Sequence, residues 1–278
     1  MRFANNSFIE TSRKDHTMPK LEQFAVILFT LRDYVKTPED FKTTLDKVAA
    51  IGYKAVQISG MAKDVMTTEE IVAETSKRGL TICATHEPGT DILDDTETVI
   101  QRLKELGTRY TAYPYPAGVD FSSEASLHEL ITKLDAAGKK MAAADLVLTY
   151  HNHAHELYKV NGKTVLRRIY DETDPAHLQA EIDTHWIQRG GCDPVKWIES
   201  LPNRLPLLHI KDYKVDPSGN ADFAEIGNGN LNFPAIIAAA EKVGCEWYIV
   251  EQDSCPGDPF DSIQQSFDYI KTHLLSDD

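Results

Sequence analysis

Eight short apolar runs alternate with longer amphipathic stretches along the 278 residues of this chain, and this repeat limits the fold more than any other feature. Runs that are apolar throughout, rather than at every second residue, are typical of strands buried on both faces of a parallel sheet. Eight strand-then-helix units within this length predict a closed barrel rather than an open sheet. The predicted strands are residues 24–30, 54–58, 80–85, 109–113, 146–151, 178–183, 205–210 and 247–251.

The stretches between the runs carry helix start and stop signals. Thr37 is a natural N-cap, Pro38 fits the first helical position, and Gly52 ends the same helix. Residues 214–232, after the seventh strand, are predicted to form a long loop on the side of the barrel where sites are usually built. The sequence thus predicts an α/β fold, a (β/α)8 TIM barrel in a single domain. The predicted helices are residues 38–51, 67–78, 91–106, 122–144, 165–172, 193–200, 233–243 and 259–274.

Composition narrows the class of protein. Residues 1–20 are polar and lack the apolar core of a secretory signal, so we expect a disordered leader or cloning remnant there and the barrel domain over residues 21–278. The net charge of −14 argues against nucleic acid as a partner, and the absence of a bilayer-length apolar run argues against a membrane. Four cysteines without CxxC spacing favour a reduced, cytoplasmic protein.

Three successive strands end in potential metal ligands, namely Asp183, His209 and Glu251. Taken singly, Asp183 also fits a helix cap and His209 a packed histidine, but a carboxylate after an apolar run, such as Glu251, must be paired or bound to a metal. The carboxyl ends of barrel strands meet at one rim, so we expect these side chains to converge. Nitrogen and oxygen ligands of this kind suit a divalent metal ion as cofactor, whether Mn²⁺, Mg²⁺, Co²⁺ or Zn²⁺.

Histidines also follow the fifth strand. Alternation places His151 and His153 on one side, both facing the barrel mouth, whereas His155 reads as part of a solvated loop. Substrate contacts are predicted for other polar residues at strand ends. These are His86 after the third strand, Tyr113 after the fourth, His185 with the same parity as Asp183, and Lys211 after the seventh.

At these residues the chain resembles the sugar phosphate isomerase/epimerase family, the xylose-isomerase-like TIM barrels, from about residue 21 onward. In that family a divalent metal is held by a Glu on strand five, an Asp on strand six, a His on strand seven and a Glu on strand eight. The last three match Asp183, His209 and Glu251. The segments that carry the resemblance are EIDTHW (181–186), HIKD (209–212), EIGNGNLNF (225–233) and VEQD (250–253).

The fifth strand departs from the family pattern, because YHNH (150–153) stands where the epimerases carry glutamate before asparagine. The expected fourth ligand is therefore His151, with His153 and Glu156 as alternatives. Glu156 and His153 are the predicted acid/base groups, and Glu251 is predicted to act as both ligand and base.

The resemblance implies a metal-dependent sugar isomerase or epimerase that works through an enediolate, with a small-molecule sugar or keto-sugar as substrate. The alternative on the same site is a lyase or dehydratase that acts by elimination on a keto-sugar or an inositol-derived ketone. A metal-dependent endonuclease fits the acidic charge poorly, and a catalytically inactive barrel is a fourth reading. Lys211 would either neutralise an oxyanion or form a surface salt bridge. A homo-oligomer is expected from relatives.

Overall fold

Residues 18–275, the part that the computed structural model describes, contain eight parallel strands closed into a barrel. The predicted (β/α)8 barrel is thereby confirmed, whereas the predicted leader lies outside the described residues except for its last three. Neighbouring barrel strands follow chain order, and β1 closes the circle by pairing with β8. The strands are β1 (Phe24–Ile27), β2 (Ala55–Ile58), β3 (Thr81–His86), β4 (Tyr110–Tyr113), β5 (Val147–His151), β6 (Leu178–Asp183), β7 (Leu207–Ile210) and β8 (Trp247–Val250).

Helices surround the barrel, and the signals read from the sequence begin and end several of them. Thr37 caps the first helix by accepting a hydrogen bond from the Asp40 amide, and Gly52 ends it at a φ of 123°. A Cβ at Gly52 would approach the Phe267 ring to 2.6 Å, so glycine is required there for space as well as for conformation. The helices are α1 (Pro38–Ile51), α2 (Thr68–Lys77), α3 (Gly89–Asp94), α4 (Thr96–Leu106), α5 (Glu124–Ala142), α6 (Val165–Asp171), α7 (Thr184–Arg189), α8 (Pro194–Glu199), α9 (Phe233–Val243) and α10 (Pro259–His273).

The core lies between the strands and these helices. Most strand residues are buried on both faces, as the apolar runs predict. A separate set of apolar side chains fills the barrel interior, among them Ala25, Ile27, Cys83, Leu207 and Ile249. The filled interior leaves the rim at the strands' carboxyl ends as the place where polar side chains collect. No helix among the described residues is long and apolar enough to cross a bilayer.

Three local predictions differ from the structure. The first strand ends at Ile27, and a 3-10 segment, Leu28–Tyr34, takes over where a longer strand was expected. The helix predicted over 91–106 is two helices, because Asp95 adopts a non-helical conformation between α3 and α4. The loop predicted over 214–232 contains one strand of an antiparallel hairpin and the end of the other, Asp212–Val215 paired with Ala221–Ala224.

Candidate active site

Four side chains converge where β5 to β8 end. His151, Asp183 and His209 are at or near the last positions of their strands, and Glu251 directly follows β8. One donor atom from each lies within 4.8 Å of the others, and all four residues are buried. Register explains part of this convergence, since Asp183 and His209 are direct partners across β6 and β7. The strands thus bring two imidazoles and two carboxylates to one point.

The donor set fits a divalent cation. The Nε2 atom of His151 is buried and has no hydrogen-bond partner among the described residues. It lies 3.5 Å from Asp183 Oδ2 and 3.7 Å from Glu251 Oε2. Donor atoms at about these separations can surround one ion, and mixed imidazole and carboxylate ligands suit Mn²⁺, Co²⁺ and Zn²⁺.

Charge balance supports the same reading. Glu181, Asp183 and Glu251 are three buried carboxylates, and Lys211, itself fully buried, is the single ammonium group packed against this cluster within residues 18–275. Its Nζ lies 3.2 Å from Asp183 Oδ2 and 3.1 Å from Glu251 Oε2, and it also pairs with the partly buried Asp253. Buried charges are stable only when compensated, so the remaining negative charge calls for a bound cation or protonated histidines.

The ionisation of these groups follows from their neighbours. Burial alone would raise the pKa of Asp183 and of Glu251, but the nearby Lys211 and histidines outweigh burial and hold both pKa values below their usual range. Burial would lower the pKa of Lys211, yet the surrounding carboxylates raise it. The lysine therefore remains charged, and both carboxylates are ready to bind a cation at neutral pH.

A second layer of buried groups orients His209. Gln57 donates from Nε2 to Glu181 Oε1 over 2.7 Å, which turns its carbonyl oxygen toward His209 Nε2 at 2.8 Å. His209 Nε2 must then carry a proton, so the lone pair of the neutral ring lies on Nδ1, 2.7 Å from Glu251 Oε2. Metal-binding histidines are commonly fixed in this way by a hydrogen bond to the other ring nitrogen.

Glu181 was not singled out from the sequence, although it is central to the site. It lies two residues before Asp183 on the same strand, so alternation places both on one face. Its Oε2 lies 2.7 Å from His86 Nε2, and its Oε1 lies 3.2 Å from His209 Nε2. Glu181 thus connects a candidate metal ligand to His86 at the end of β3.

A cavity of about 480 Å³ opens above the ligand cluster. It extends toward the loops after β2, β3 and β4, where Lys63, Glu87 and Tyr115 contribute to its wall. Cavities of this size accept small molecules. The side chains that line it next to the cluster are His86, His151, His153, Glu251 and Asp253.

A family model described as xylose isomerase-like TIM barrel matches residues 45–273. The chain belongs to this family. The resemblance read from its motifs is confirmed by this match, which covers most of the chain. Two of those motifs also contact each other in the xylose isomerase-like fold. The carboxylate of Asp212 in HIKD accepts hydrogen bonds from the amides of Gly227 and Gly229, at 3.0 and 2.9 Å, and of Leu231 in the EIGNGNLNF segment.

Solved structures and a curated protein resemble this family member over different lengths. A sugar phosphate isomerase/epimerase from Parabacteroides distasonis is 22% identical, with a TM-score of 0.78 over 92% of this chain and 95% of that chain. A probable 3-DHS dehydratase from Bacillus anthracis is 13% identical, with a TM-score of 0.70 over 90% and 99%. An inosose dehydratase from Geobacillus kaustophilus is 25% identical over 174 residues. The last alignment spans 55% of this chain and only 56% of that protein.

The predicted acid/base residues occupy different positions. His153 lines the cavity, and its Nδ1 atom lies 3.9 Å from Glu156 Oε1. Glu156 is fully buried beneath it, where it accepts hydrogen bonds from the Tyr150 hydroxyl at 3.0 Å and the His153 amide at 2.9 Å. Glu156 is therefore placed to orient His153 rather than to touch a molecule in the cavity.

Two of the four predicted substrate contacts lie at the active-site cavity and two lie away from it. His86 lines the cavity, and Lys211 lies beneath it against the ligand cluster. Tyr113 lines a neighbouring cavity instead and packs against Tyr150. His185 is fully buried within 2.9 Å of the Asp212 carbonyl, because α7 begins at Thr184 and ends the strand alternation on which that prediction depended.

Proposed function

We propose that the protein is a divalent-metal-dependent isomerase or epimerase of a sugar. The observation that carries the proposal is the buried set His151, Asp183, His209 and Glu251 at the base of a cavity suited to a small molecule. The fold family and the isomerase/epimerase among the similar structures support the same class of reaction.

The four residues would hold the ion, which supplies polarisation of a substrate carbonyl and its adjacent hydroxyl when bound. Lys211, buried and charged, lies beside Asp183 and Glu251 and would keep these carboxylates ionised. His86 faces the cavity, and its Nε2 is held by Glu181, so its other nitrogen is the one available to a substrate hydroxyl.

Proton transfer is assigned to His153, with Glu251 as the second group that faces the cavity. His153 would take the proton from the carbon next to the carbonyl, which leaves an enediolate. Burial lowers the pKa of His153, which favours the neutral ring that accepts a proton, and the carboxylate of Glu156, 3.9 Å away, partly offsets this effect. Return of the proton to the neighbouring carbon gives an isomer, and delivery to the opposite face of the same carbon gives an epimer.

Elimination is the second candidate, and the similarity to an inosose dehydratase and a 3-DHS dehydratase favours it specifically. The same first proton transfer would be followed by loss of a β-hydroxyl or β-alkoxyl group. Incubation with candidate ketoses and analysis by mass spectrometry separates the two, because isomerisation conserves mass whereas elimination releases water or an alcohol.

The metal assignment is tested with Asp183→Ala and His209→Ala. We expect both variants to lose bound metal in elemental analysis while circular dichroism shows a folded barrel. His273→Ala, which alters an exposed histidine on α10, is the matched control and should keep its metal. Full metal occupancy in both site variants would refute the ligand assignment.

A further inference from the structure

A second cavity of about 370 Å³ adjoins the active-site cavity, and Tyr115 lines both. Tyr115 lies in the loop between β4 and α5 and is 53% exposed. Its ring meets His153 edge-on, with the ring centroids 5.1 Å apart. An exposed aromatic ring therefore stands between the candidate acid/base residue and a neighbouring cavity.

The lining of the second cavity suits an amphipathic ring. Tyr113, Tyr115 and Leu93 supply apolar surface, while Thr90 and Ser126 supply hydroxyl groups. A sugar ring has the matching character, with apolar C–H faces and a polar rim of hydroxyls. Thr90 Oγ1 donates to Asp91 Oδ1 at 3.3 Å and Ser126 Oγ accepts from the Asp120 amide at 3.1 Å, so the Thr90 hydroxyl can still accept and the Ser126 hydroxyl can still donate a hydrogen bond to a sugar hydroxyl.

The charges of both cavities argue against a phosphorylated substrate. In the second cavity Lys133 is paired with Asp94 at 3.5 Å and with Glu129 at 3.2 Å.

In the first cavity Arg102 lies 3.1 Å from the buried Glu87, and Lys63 pairs with Asp91 and lies 3.9 Å from Glu87. Cationic side chains that are free to bind strengthen phosphate recognition. Within residues 18–275, each lysine or arginine that lines either cavity already faces a carboxylate, so a neutral substrate fits better.

We propose that the second cavity is a subsite for a second sugar ring, so that the substrate is a neutral glycoside rather than a sugar phosphate or a single monosaccharide. This inference rests on the proposed function, because the first ring must occupy the cavity above the metal ligands. The second ring then lies beyond Tyr115, whose face is the stacking surface between the two positions.

The test is isothermal titration calorimetry of the full chain with saturating Mn²⁺. The ligands are glucose, galactose and xylose, their disaccharides maltose, cellobiose, lactose and xylobiose, and glucose 6-phosphate. We expect at least one disaccharide to bind about tenfold more tightly than its monosaccharide, the factor expected when a second ring covers on the order of 60 Å² of apolar surface. Glucose 6-phosphate should bind no better than glucose.

Two variants test whether the tighter binding of disaccharides depends on the second cavity. Ala117→Phe places a large side chain in the second cavity from an exposed position, and should remove the disaccharide advantage while leaving monosaccharide binding unchanged. Tyr115→Ala should reduce the same advantage. Tyr158→Ala, at a tyrosine that is 56% exposed and lines neither cavity, is the control and should behave like the unaltered protein.

The outcomes separate the two proposals. If monosaccharides bind and no disaccharide binds more tightly, or if Ala117→Phe keeps the advantage, the second-ring subsite is wrong and the proposed function stands. Tighter binding of glucose 6-phosphate than of glucose would overturn the inference of a neutral substrate. If no saccharide in the set binds the Mn²⁺-loaded protein, both proposals are overturned.

Discussion

Replacement of Lys211 by methionine should destabilise the protein and strengthen its response to metal. The ammonium group is fully buried and lies within 3.2 Å of carboxylate oxygens on Asp183 and Glu251, as well as pairing with Asp253. Methionine has a similar length but no charge, so the carboxylates would lose their cationic partner without a large cavity being created.

The magnitude follows from the burial of the group. Removing one partner of a buried ion pair typically destabilises a protein by about 3–5 kcal/mol, because an uncompensated charge remains inside. At about 2–4 °C per kcal/mol for a chain of this size, a loss of roughly 4 kcal/mol corresponds to a fall in Tm of about 8–16 °C. An exposed pair is worth about 0–1 kcal/mol, so Lys36→Met, which breaks the exposed pair with Asp33, is the control.

A divalent cation should reverse part of this loss. It would enter among the same carboxylates, and the absence of the lysine charge should raise its affinity. The increase in Tm on adding Mn²⁺ or Mg²⁺, measured by differential scanning fluorimetry after chelation, should therefore be larger for Lys211→Met than for the unaltered protein. An unchanged Tm for the chelated variant, or an equal metal response in both proteins, would refute the reasoning.

Other outcomes can be measured without a known substrate. The neighbouring carboxylates overcome the effect of burial and raise the pKa of His151 and of His209, so both rings bind protons that a metal must displace. Metal affinity should consequently rise with pH through the neutral range, by up to about tenfold per pH unit for each proton released, and calorimetry in buffers of different ionisation enthalpy should detect the released protons. An affinity independent of pH would contradict this. Tyr150→Phe removes a hydrogen bond from the buried Glu156 and should lower the free energy of unfolding in urea by about 1–3 kcal/mol; an unchanged midpoint and slope would argue against that contact. Gly138→Ala should destabilise by about 1–3 kcal/mol despite the higher helix propensity of alanine, because its Cβ would lie 2.0 Å from a backbone carbonyl oxygen; a stabilised variant would exclude this close packing.

The barrel could be predicted from the sequence because each strand is a continuous apolar run and each helix has local start and stop signals. The prediction was weaker where tertiary contacts decide the conformation. The break at Asp95 between α3 and α4 has no proline or glycine to mark it. The hairpin strand Ala221–Ala224 is short and only partly buried, so it lacks the apolar run on which strand prediction depends.

In the candidate site, residues on a regular strand could likewise be predicted from the sequence, whereas residues placed by tertiary contacts could not. Strand parity was sufficient to align Asp183 with its neighbours, and it also contained the signal for Glu181, two residues earlier. Parity fails for His185, because helical geometry has already begun at Thr184. Gln57 could not be found from the sequence, since it is one polar residue within a buried strand and its partner Glu181 is 124 positions away along the chain.

The contact between Asp212 and the 225–231 segment has a consequence for how a ligand reaches the barrel mouth. One carboxylate accepts four backbone amides, three of them from Gly227, Gly229 and Leu231 and the fourth from Tyr213. Moving the 225–231 segment away from Asp212 would break the three bonds from Gly227, Gly229 and Leu231 and leave this fully buried carboxylate with one backbone donor. A ligand is therefore expected to enter beside the loops after β2, β3 and β4, which line the open cavity, and variation in those loops would change which substrates fit.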